Sequence, residues 1–426
     1  TEIEPVIKML ATKYRTKKSF LYDFTSLHMV VPTLRCNSKC KYCQVSSKSE
    51  DAVKYDMDKS TAKRTVDLIF MSPSSSIKIE FQGGEPLLNF EIVKYIIDYA
   101  EQCNLTEKKK LEFVVCTNLT LITEEILKYL QNHKAYISTS LDGAMALHNN
   151  NRPFRNGQGS YEVVTKNIKR VHEYLGEGSV SALMTATKAS LEQFTDIIDE
   201  YLAQGFNAIF IRSLNPYGTA KEDLDSLGYR IEDFIKSYKK ALKHIININL
   251  NGTFFIECYA SILLGKILTP FTTGFVDLQS PSGVAISGVI YNHDGYVYVS
   301  DEARMLANAG DATFSMGSVH ENTYQELFHS DKIVSLLKKS CLECLPICSH
   351  CAFQSYCGVD PIRNYAEQGE IVGNRMTSAV CKINIAIFQY LFELIKENDK
   401  PTMDVLWSWI THKPIVKEKQ ISHESN

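Results

Sequence analysis

The sequence predicts an α/β fold: a partial (β/α)6 barrel followed by a smaller C-terminal domain. Six buried-strand patterns alternate with amphipathic helix patterns between residues 27 and 215, an order typical of parallel β/α units. The chain has 426 residues, more than one hydrophobic core ordinarily holds. Because parallel β/α folds place their chemistry at the carboxyl ends of the strands, we expect the functional residues there.

The elements follow in order along the chain. A leading helix or arm precedes the first strand, and its basic run at residues 13–18 is typical of a solvated face, although it is also suited to guide an acidic peptide. The last barrel helix is predicted to start at Ser190, with Gln193 completing a capping box, and to end at Gly205. Strands are predicted at residues 27–35, 77–81, 111–118, 135–143, 180–187 and 207–214, and the other helices at 60–70, 91–102, 123–133 and 161–175.

We expect five regions. They are an N-terminal arm (1–26), the barrel core (27–215), connecting helices and a loop (216–288), a cysteine-rich domain (289–396) and a C-terminal tail (397–426). Asp294 and Gly295 lie between two alternating runs, which predicts a β-hairpin at the start of the cysteine-rich domain.

Composition and charge exclude several classes of protein. The chain is 44% hydrophobic and 22% charged with a net charge of -3, as in soluble enzymes. A nucleic-acid partner usually requires a basic surface, and no apolar run approaches the ~20 residues that cross a bilayer. No signal-peptide pattern precedes the first strand. We therefore expect a cytoplasmic protein with neither a nucleic-acid nor a membrane partner.

Three cysteines lie close together after the first strand. Cys36, Cys40 and Cys43 fall within the eight residues CNSKCKYC, whereas a structural zinc site normally needs four ligands. Three thiolates on one loop suit three corners of a cubane [4Fe–4S] cluster and leave one iron open. Tyr42 is placed to shield such a cluster. The alternative is three buried structural thiols.

The remaining cysteines are unevenly distributed. The chain has twelve in all, and six fall between residues 341 and 381. In a cytosolic protein, this number indicates metal-binding or catalytic sulfur rather than disulfides. Cys103, Cys116 and Cys258 are interpreted as buried thiols.

The cysteine loop resembles the signature of the radical S-adenosylmethionine (SAM) enzymes, in which the open iron chelates SAM. The resemblance implies that Gly83, Gly84 and Glu85 form the GGEP element that binds the amino group of SAM. It also implies SAM contacts for polar groups at later strand ends and makes Arg152 a candidate for a carboxylate or peptide contact. The strand-end residues are Thr117, Asn118 and Ser140. Simple turn or loop capping is the alternative for each.

The C-terminal cysteines resemble the SPASM domain of peptide maturases. This resemblance implies an auxiliary [4Fe–4S] cluster on Cys348, Cys351, Cys357 and Cys381. We expect one auxiliary cluster rather than two, because Ser300 stands where the family has a further cysteine and residues 358–361 contain none. Alternatives are a zinc site on Cys341, Cys344, Cys348 and Cys351, and Asp360 as a ligand.

Asp301 follows the predicted hairpin directly. In sulfatase-maturing relatives, an acid at this place takes a proton from the substrate radical centre. The resemblance therefore makes Asp301 a candidate catalytic base or substrate anchor. The alternative is an ion pair with Arg304.

Beyond these motifs, residues 20–395 resemble the B member of the paired His-Xaa-Ser system radical SAM maturases, through TLRCNSKCKYCQ, IEFQGGEPLLNF, TSLDG, SDEARML and YCGVDPIRNY. This implies a precursor peptide or small protein with His-Xaa-Ser repeats as substrate, a paired maturase, and a flavodoxin- or ferredoxin-type electron donor. The implied chemistry is reductive cleavage of SAM to a 5′-deoxyadenosyl radical, which abstracts hydrogen from a ribosomally synthesised peptide. Alternatives are a radical SAM enzyme acting on RNA or a small molecule, and a non-catalytic iron–sulfur or zinc scaffold.

Overall fold

The computed structural model describes residues 3–45 and 47–415. The ends of the predicted arm (residues 1–2) and tail (residues 416–426) lie outside the described residues. None of the described helices combines the length and the apolar character that crossing a membrane requires.

The strands are β1 (Leu27–Thr33), β2 (Ser76–Gly83), β3 (Lys110–Cys116), β4 (Tyr136–Ser140), β5 (Val180–Thr185), β6 (Ala208–Arg212), β7 (Ile256–Glu257), β8 (Gly288–Tyr291), β9 (Tyr296–Tyr298) and β10 (Ser315–Ser318).

The helices are α1 (Ile3–Lys17), α2 (Phe20–Asp23), α3 (Lys59–Phe70), α4 (Phe90–Glu107), α5 (Glu124–Asn132), α6 (Met145–Asn151), α7 (Tyr161–Leu175), α8 (Phe194–Ala203), α9 (Thr219–Glu222), α10 (Leu224–Leu227), α11 (Ile231–Leu250), α12 (Cys258–Leu268), α13 (Asp301–Asn308), α14 (Tyr324–Phe328), α15 (Asp331–Lys338), α16 (Pro361–Gln368), α17 (Ala379–Glu397) and α18 (Lys400–Thr411).

The predicted partial (β/α)6 barrel is confirmed. Strands β1 to β6 lie side by side in chain order, and every neighbouring pair is parallel. Each strand places fully buried side chains in the core, such as Ile79 of β2 and Met184 of β5. Amphipathic helices follow these strands because a parallel connection must cross the sheet. The carboxyl ends of all six strands therefore meet at one edge.

The sheet continues past β1 into the C-terminal region. Strand β8 pairs with β1 in parallel, and β8 and β9 form the antiparallel hairpin predicted at Asp294 and Gly295. Strand β10 completes a ten-stranded sheet in the order β10-β9-β8-β1-β2-β3-β4-β5-β6-β7. The predicted boundary between residues 288 and 289 thus falls within one sheet, and the division into domains stays a prediction.

One sequence-based expectation about a helix is wrong. The capping box before α8 uses Thr187 and Ser190 rather than Ser190 and Gln193, because a 3-10 helix over Lys188–Gln193 precedes α8. The predicted tail contains α18, whose Val405, Leu406 and Trp409 are buried. The apolar spacing of these residues is a signal that sequence reasoning missed.

Candidate active site

The cysteine loop begins where β1 ends, and the backbone after α6 holds it in place. The amide of Lys39 donates to the carbonyl of Pro153 at 2.8 Å, and the amide of Lys41 donates to that of Asn151 at 2.9 Å. Backbone hydrogen bonds of this kind fix the chain without using any thiol. The cysteine side chains therefore remain available as ligands.

Arg155 ties the start of the cysteine loop to the segment that follows it. Its Nε donates to the carbonyl of Cys36 at 2.6 Å, and its Nη2 donates to the carbonyl of Lys48 at 2.6 Å. Sequence reasoning missed this residue, although Arg155 stands three positions after Arg152, which it singled out. A guanidinium can bridge several carbonyls because its donors form a rigid fork.

The glycine pair that ends β2 lies directly against the start of the cysteine loop. A Cβ on Gly84 would approach the carbonyl oxygen of Arg35 to 2.1 Å, and one on Gly83 would approach that of Thr33 to 2.4 Å. Gly83 also has a φ of 115°, which L residues rarely adopt. Only glycine fits at these two positions, so the pair sets the distance between the loop and the sheet.

The Glu85 side chain is engaged within the protein. Its carboxylate accepts hydrogen bonds from the Thr117 hydroxyl at 2.7 Å, the Asn118 amide at 2.8 Å and the Leu87 amide at 3.1 Å. Burial raises the pKa of Glu85 to about 7, and these donors oppose the rise. The Glu85 and Thr117 side chains thus join the ends of β2 and β3. Their predicted SAM contacts stay predictions.

Asn118 connects the end of β3 to the cysteine loop. Its side-chain nitrogen lies 2.8 Å from the Asn37 oxygen, 3.2 Å from the Ser38 hydroxyl and 4.0 Å from the Cys36 sulfur. Asn37, which sequence reasoning also missed, is 7% exposed. Amide donors directed at the first thiol suit a site in which that sulfur becomes a thiolate.

Tyr42 lies beneath the loop in a charged network. Its hydroxyl lies 2.6 Å from one oxygen of Asp142, to which it donates, and accepts from Arg152 at 2.8 Å. Burial raises the pKa of Asp142, and the Arg152 charge opposes the rise. The network fixes the residue between Cys40 and Cys43. This is a supporting role for Tyr42 and Arg152, and their predicted contacts with a cluster, SAM or peptide stay predictions.

Ser140, at the carboxyl end of β4, is half-buried. Its hydroxyl makes no hydrogen bond to any described residue. The predicted SAM contact at this position stays a prediction.

The three loop thiols fit an iron–sulfur cluster by chemistry and placement. Burial is the largest factor that raises the pKa of Cys36 above its usual range and that of Cys40 to about 11. Both are therefore thiols until a metal displaces their protons. Within the described residues, no three His, Cys, Asp or Glu side chains converge as ligands of a single ion.

The four C-terminal cysteines that the SPASM resemblance selects line one cavity. Cys348, Cys351, Cys357 and Cys381 surround a space of about 40 Å³. They come from a 3-10 helix, two loop positions and the first turn of α17. Among the described residues, Cys341 and Cys344 lie outside this lining. No disulfide joins any of the twelve cysteines, all of which are described.

Asp360 lies beside the same cavity but has a structural use. Its Oδ1 accepts from the amides of Ile362 and Arg363 at 3.0 and 2.9 Å, capping α16. Burial raises the pKa of Asp360 to about 6. Its second oxygen carries no hydrogen bond from the described residues, so the alternative of Asp360 as a ligand stays open.

The residues after the hairpin form the start of α13. Ser300 is the N-cap and accepts from the Ala303 amide at 3.3 Å, which gives the serine at a family cysteine position a structural role. Asp301 forms the ion pair given above as the alternative, with the fully buried Arg304, whose Nη2 and Nε lie 2.6 and 2.9 Å from Oδ1. The candidate role of Asp301 as a catalytic base stays a prediction. Oδ2 accepts no hydrogen bond from the described residues.

A larger cavity opens at the carboxyl ends of β5 and β6. It measures about 300 Å³, and Leu183, Arg212, Glu302, Asp360 and Arg363 contribute to its wall. Glu302 lies 3.8 Å from Arg212. Burial, followed by the nearby charges of Asp360 and Asp301, raises the pKa of Glu302. Glu302 rather than its neighbour Asp301 lines this cavity, a distinction that the sequence did not reveal.

The fold and the loop together define a barrel protein with three cysteines on one loop at its carboxyl edge. A model of the Radical SAM superfamily matches residues 30–201. An uncharacterized protein of Methanocaldococcus jannaschii is 30% identical over 226 residues, which cover 52% of this chain and 73% of that protein. The chain belongs to the radical SAM superfamily, and its cofactors are S-adenosylmethionine and a [4Fe–4S] cluster.

Two further comparisons extend over the C-terminal region. A cysteine-type anaerobic sulfatase-maturating enzyme of Clostridium perfringens strain 13 is 24% identical over 376 residues, covering 84% of this chain and 93% of that enzyme. A structure of anSMEcpe with bound AdoMet and Cp18Cys peptide has a TM-score of 0.72 and 20% identity, and covers 90% of this chain and 99% of that chain. At this identity the structural likeness shows the fold.

Proposed function

We propose that this protein is a maturase that removes a hydrogen atom from a ribosomally synthesised peptide or small protein and thereby modifies it after translation. The observation that carries the proposal is that Cys348, Cys351, Cys357 and Cys381 all line one cavity. The similarity to a sulfatase-maturating enzyme over 93% of its length supports it. Both features reach beyond the barrel that all radical SAM enzymes share.

In this proposal, two groups of cysteines hold the clusters, and other residues fix the conformation of the first cysteine loop. Cys36, Cys40 and Cys43 hold the first cluster, and Asn118 and Arg155 keep the loop in its conformation. When bound, the cluster and SAM supply a 5′-deoxyadenosyl radical, the reagent for hydrogen abstraction. Cys348, Cys351, Cys357 and Cys381 hold one auxiliary [4Fe–4S] cluster. The protein orients the substrate and excludes water.

Asp301 accepts the substrate proton in this proposal. The Arg304 guanidinium holds one oxygen of Asp301 and leaves the other free. Asp301→Asn is expected to abolish peptide modification and to leave SAM cleavage intact, because the amide keeps the shape and loses basicity. Full activity of this variant would remove Asp301 from the mechanism.

The resemblance to the His-Xaa-Ser system supplies the finer proposals. The substrate carries His-Xaa-Ser repeats, a paired maturase acts beside this protein, and a flavodoxin or ferredoxin supplies electrons in the cytoplasm. Each of these rests on the motifs in the chain.

Co-expression with a neighbouring, gene-encoded peptide tests the proposal. Mass spectrometry is expected to show a modified peptide with the wild-type protein and an unmodified one with the Cys40→Ala variant. If the wild-type protein cleaves SAM and leaves every such peptide unchanged, the activity lies with RNA or a small molecule. If it binds iron and does not cleave SAM, the protein is a scaffold.

A further inference from the structure

Helix α1 is an amphipathic helix without a partner for its apolar face. Ile3, Val6, Ile7, Leu10 and Tyr14 follow helical spacing, and each is between 50% and 67% exposed. None of the helix residues is buried. Because an isolated helix of 15 residues is only marginally stable in water, this stripe indicates a surface that another molecule covers.

The rest of the helix is basic. Helix α1 has one acidic side chain, Glu4, and four basic ones, Lys8, Lys13, Arg15 and Lys17. The chain as a whole has a net charge of -3. Lys8 pairs with Glu4 at 2.8 Å, whereas Lys13 and Arg15 are exposed. Basic side chains beside an exposed apolar stripe favour a partner that is acidic around an apolar centre.

The C-terminal end of α1 is fixed next to one auxiliary-cluster cysteine. Lys17 donates to the carbonyl of Ser355 at 2.9 Å and lies 4.7 Å from the centre of the Tyr356 ring. Tyr14 and Lys17 line a second cavity, of about 80 Å³, that Cys357 also lines. Cys357 therefore separates the cluster cavity from the surface that carries α1.

We propose that the exposed face of α1 is the docking surface for a small acidic protein that carries single electrons. This inference rests on the proposed function, because it needs a cluster at Cys357. With both clusters bound, the docked carrier would lose one electron and the auxiliary cluster would gain it. The same electron would pass on to the cluster at Cys36, Cys40 and Cys43, so that the auxiliary cluster returns to its starting state, with no proton transferred and no bond broken. The surface suits this role because Tyr14, at the end of the exposed stripe, lines the same cavity as Cys357.

Other occupants fit the surface less well. A symmetric contact between two copies of α1 would oppose Lys13 and Arg15 with the same charges. The substrate must reach the carboxyl edge of the barrel, whereas α1 contacts the Cys357 segment. A membrane could bind the helix, but it would not explain why α1 lies beside Cys357. These occupants become outcomes of the test.

The test uses the full chain with its clusters reconstituted and a purified flavodoxin as the acidic carrier. The double variant Lys13→Glu/Arg15→Glu is expected to weaken flavodoxin binding by about tenfold and to flatten its salt dependence, since charges at an interface act through screened attraction. Calorimetry measures the binding. Lys128→Glu, a reversal on α5 at a side chain that is 64% exposed, is the matched control and should bind as the wild type does.

A second readout separates this inference from the proposed function. SAM cleavage driven by dithionite should be equal in all three proteins, and cleavage driven by flavodoxin should fall only in the α1 variant. Equal flavodoxin binding by the α1 variant and the wild type would overturn the inference. The inference would also be overturned if the α1 variant kept its flavodoxin binding and instead lost binding to the peptide, binding to anionic vesicles, or the ability to form a dimer. Absence of dithionite-driven cleavage in the wild type would instead contradict the proposed function.

Discussion

At the scale of single residues, the site depends on close backbone approach more than on side-chain reach. Gly84 lies so near the loop that its own amide donates to the carbonyl of Thr33 at 3.0 Å. The next residue, Glu85, repeats the contact on Arg35 at 2.7 Å. These two consecutive backbone hydrogen bonds can form only because no side chain at residue 84 separates the two segments.

Gly84→Ala is therefore expected to displace the cysteine loop and to destabilise the protein by about 3 kcal/mol, the upper range for overpacking. Iron content after reconstitution and thermal unfolding measure the effect. Gly265→Ala is the control, because its Cβ would meet only a Thr273 methyl group at 3.3 Å. Unchanged iron content in Gly84→Ala would show that the loop tolerates a wider gap.

A second residue-scale prediction concerns the buried His28. Burial lowers the pKa of His28 to about 3, so this side chain is neutral in the folded protein and protonates far more readily once unfolded. Its contribution to stability is complete above about pH 6.5 and is lost as the pH falls from there towards 3, by up to about 1.4 kcal/mol per pH unit. The free energy of unfolding of the wild type and of His28→Gln, measured by denaturation between pH 7 and 5, tests this prediction. The variant should lose less stability on acidification, and parallel curves would contradict the prediction.

At the scale of elements, α17 and the segment before α16 bring distant cysteines together. Cys381 lies in the first turn of α17, where its amide donates to the Ser378 hydroxyl at 3.2 Å. Asn384, one turn later, directs its side-chain nitrogen at the Cys357 sulfur from 3.8 Å. The helix thus supplies both a thiol and a donor to the neighbouring thiol, so the cavity depends on how α17 packs.

Iron content tests the assignment of these cysteines. The wild type should bind about eight irons per chain, and Cys348→Ser about four, because each cubane carries four. Cys344→Ser is the matched control from the same segment, and it should keep all the iron. Loss of metal from this control would indicate that Cys344 is a ligand, as in the zinc alternative or in a different set of cluster ligands.

At the scale of the whole molecule, one sheet joins the barrel to the cysteine-rich region. Residues 27–30 of β1 pair with residues 78–81 of β2 on one side and 288–291 of β8 on the other. Removing β8 would expose a buried edge of the central sheet. An exposed apolar edge pairs readily with other chains.

A chain that ends at residue 287 is therefore expected to aggregate, whereas a chain that lacks residues 1–12 should remain monodisperse. Of the residues that the second deletion removes, those that the structure describes (3–12) include no buried one, and such surface changes alter stability by about 0.5 kcal/mol or less. Size-exclusion chromatography compares the two. A soluble, folded chain ending at residue 287 would show that the barrel closes without β8.

The sequence by itself determined the barrel, the hairpin and the two groups of cysteines. Strand and helix periodicity, the turn at Asp294 and Gly295, and ligand spacing are local properties, so they can be read from short stretches. The tertiary structure decided what depends on contacts between distant segments. Strand β8 pairs with β1, and the Glu85 carboxylate binds residues at the end of β3. Arg155 binds carbonyls on both sides of the cysteine loop, and Glu302 rather than Asp301 lines the larger cavity. These outcomes follow from packing and burial, which no single stretch of chain specifies.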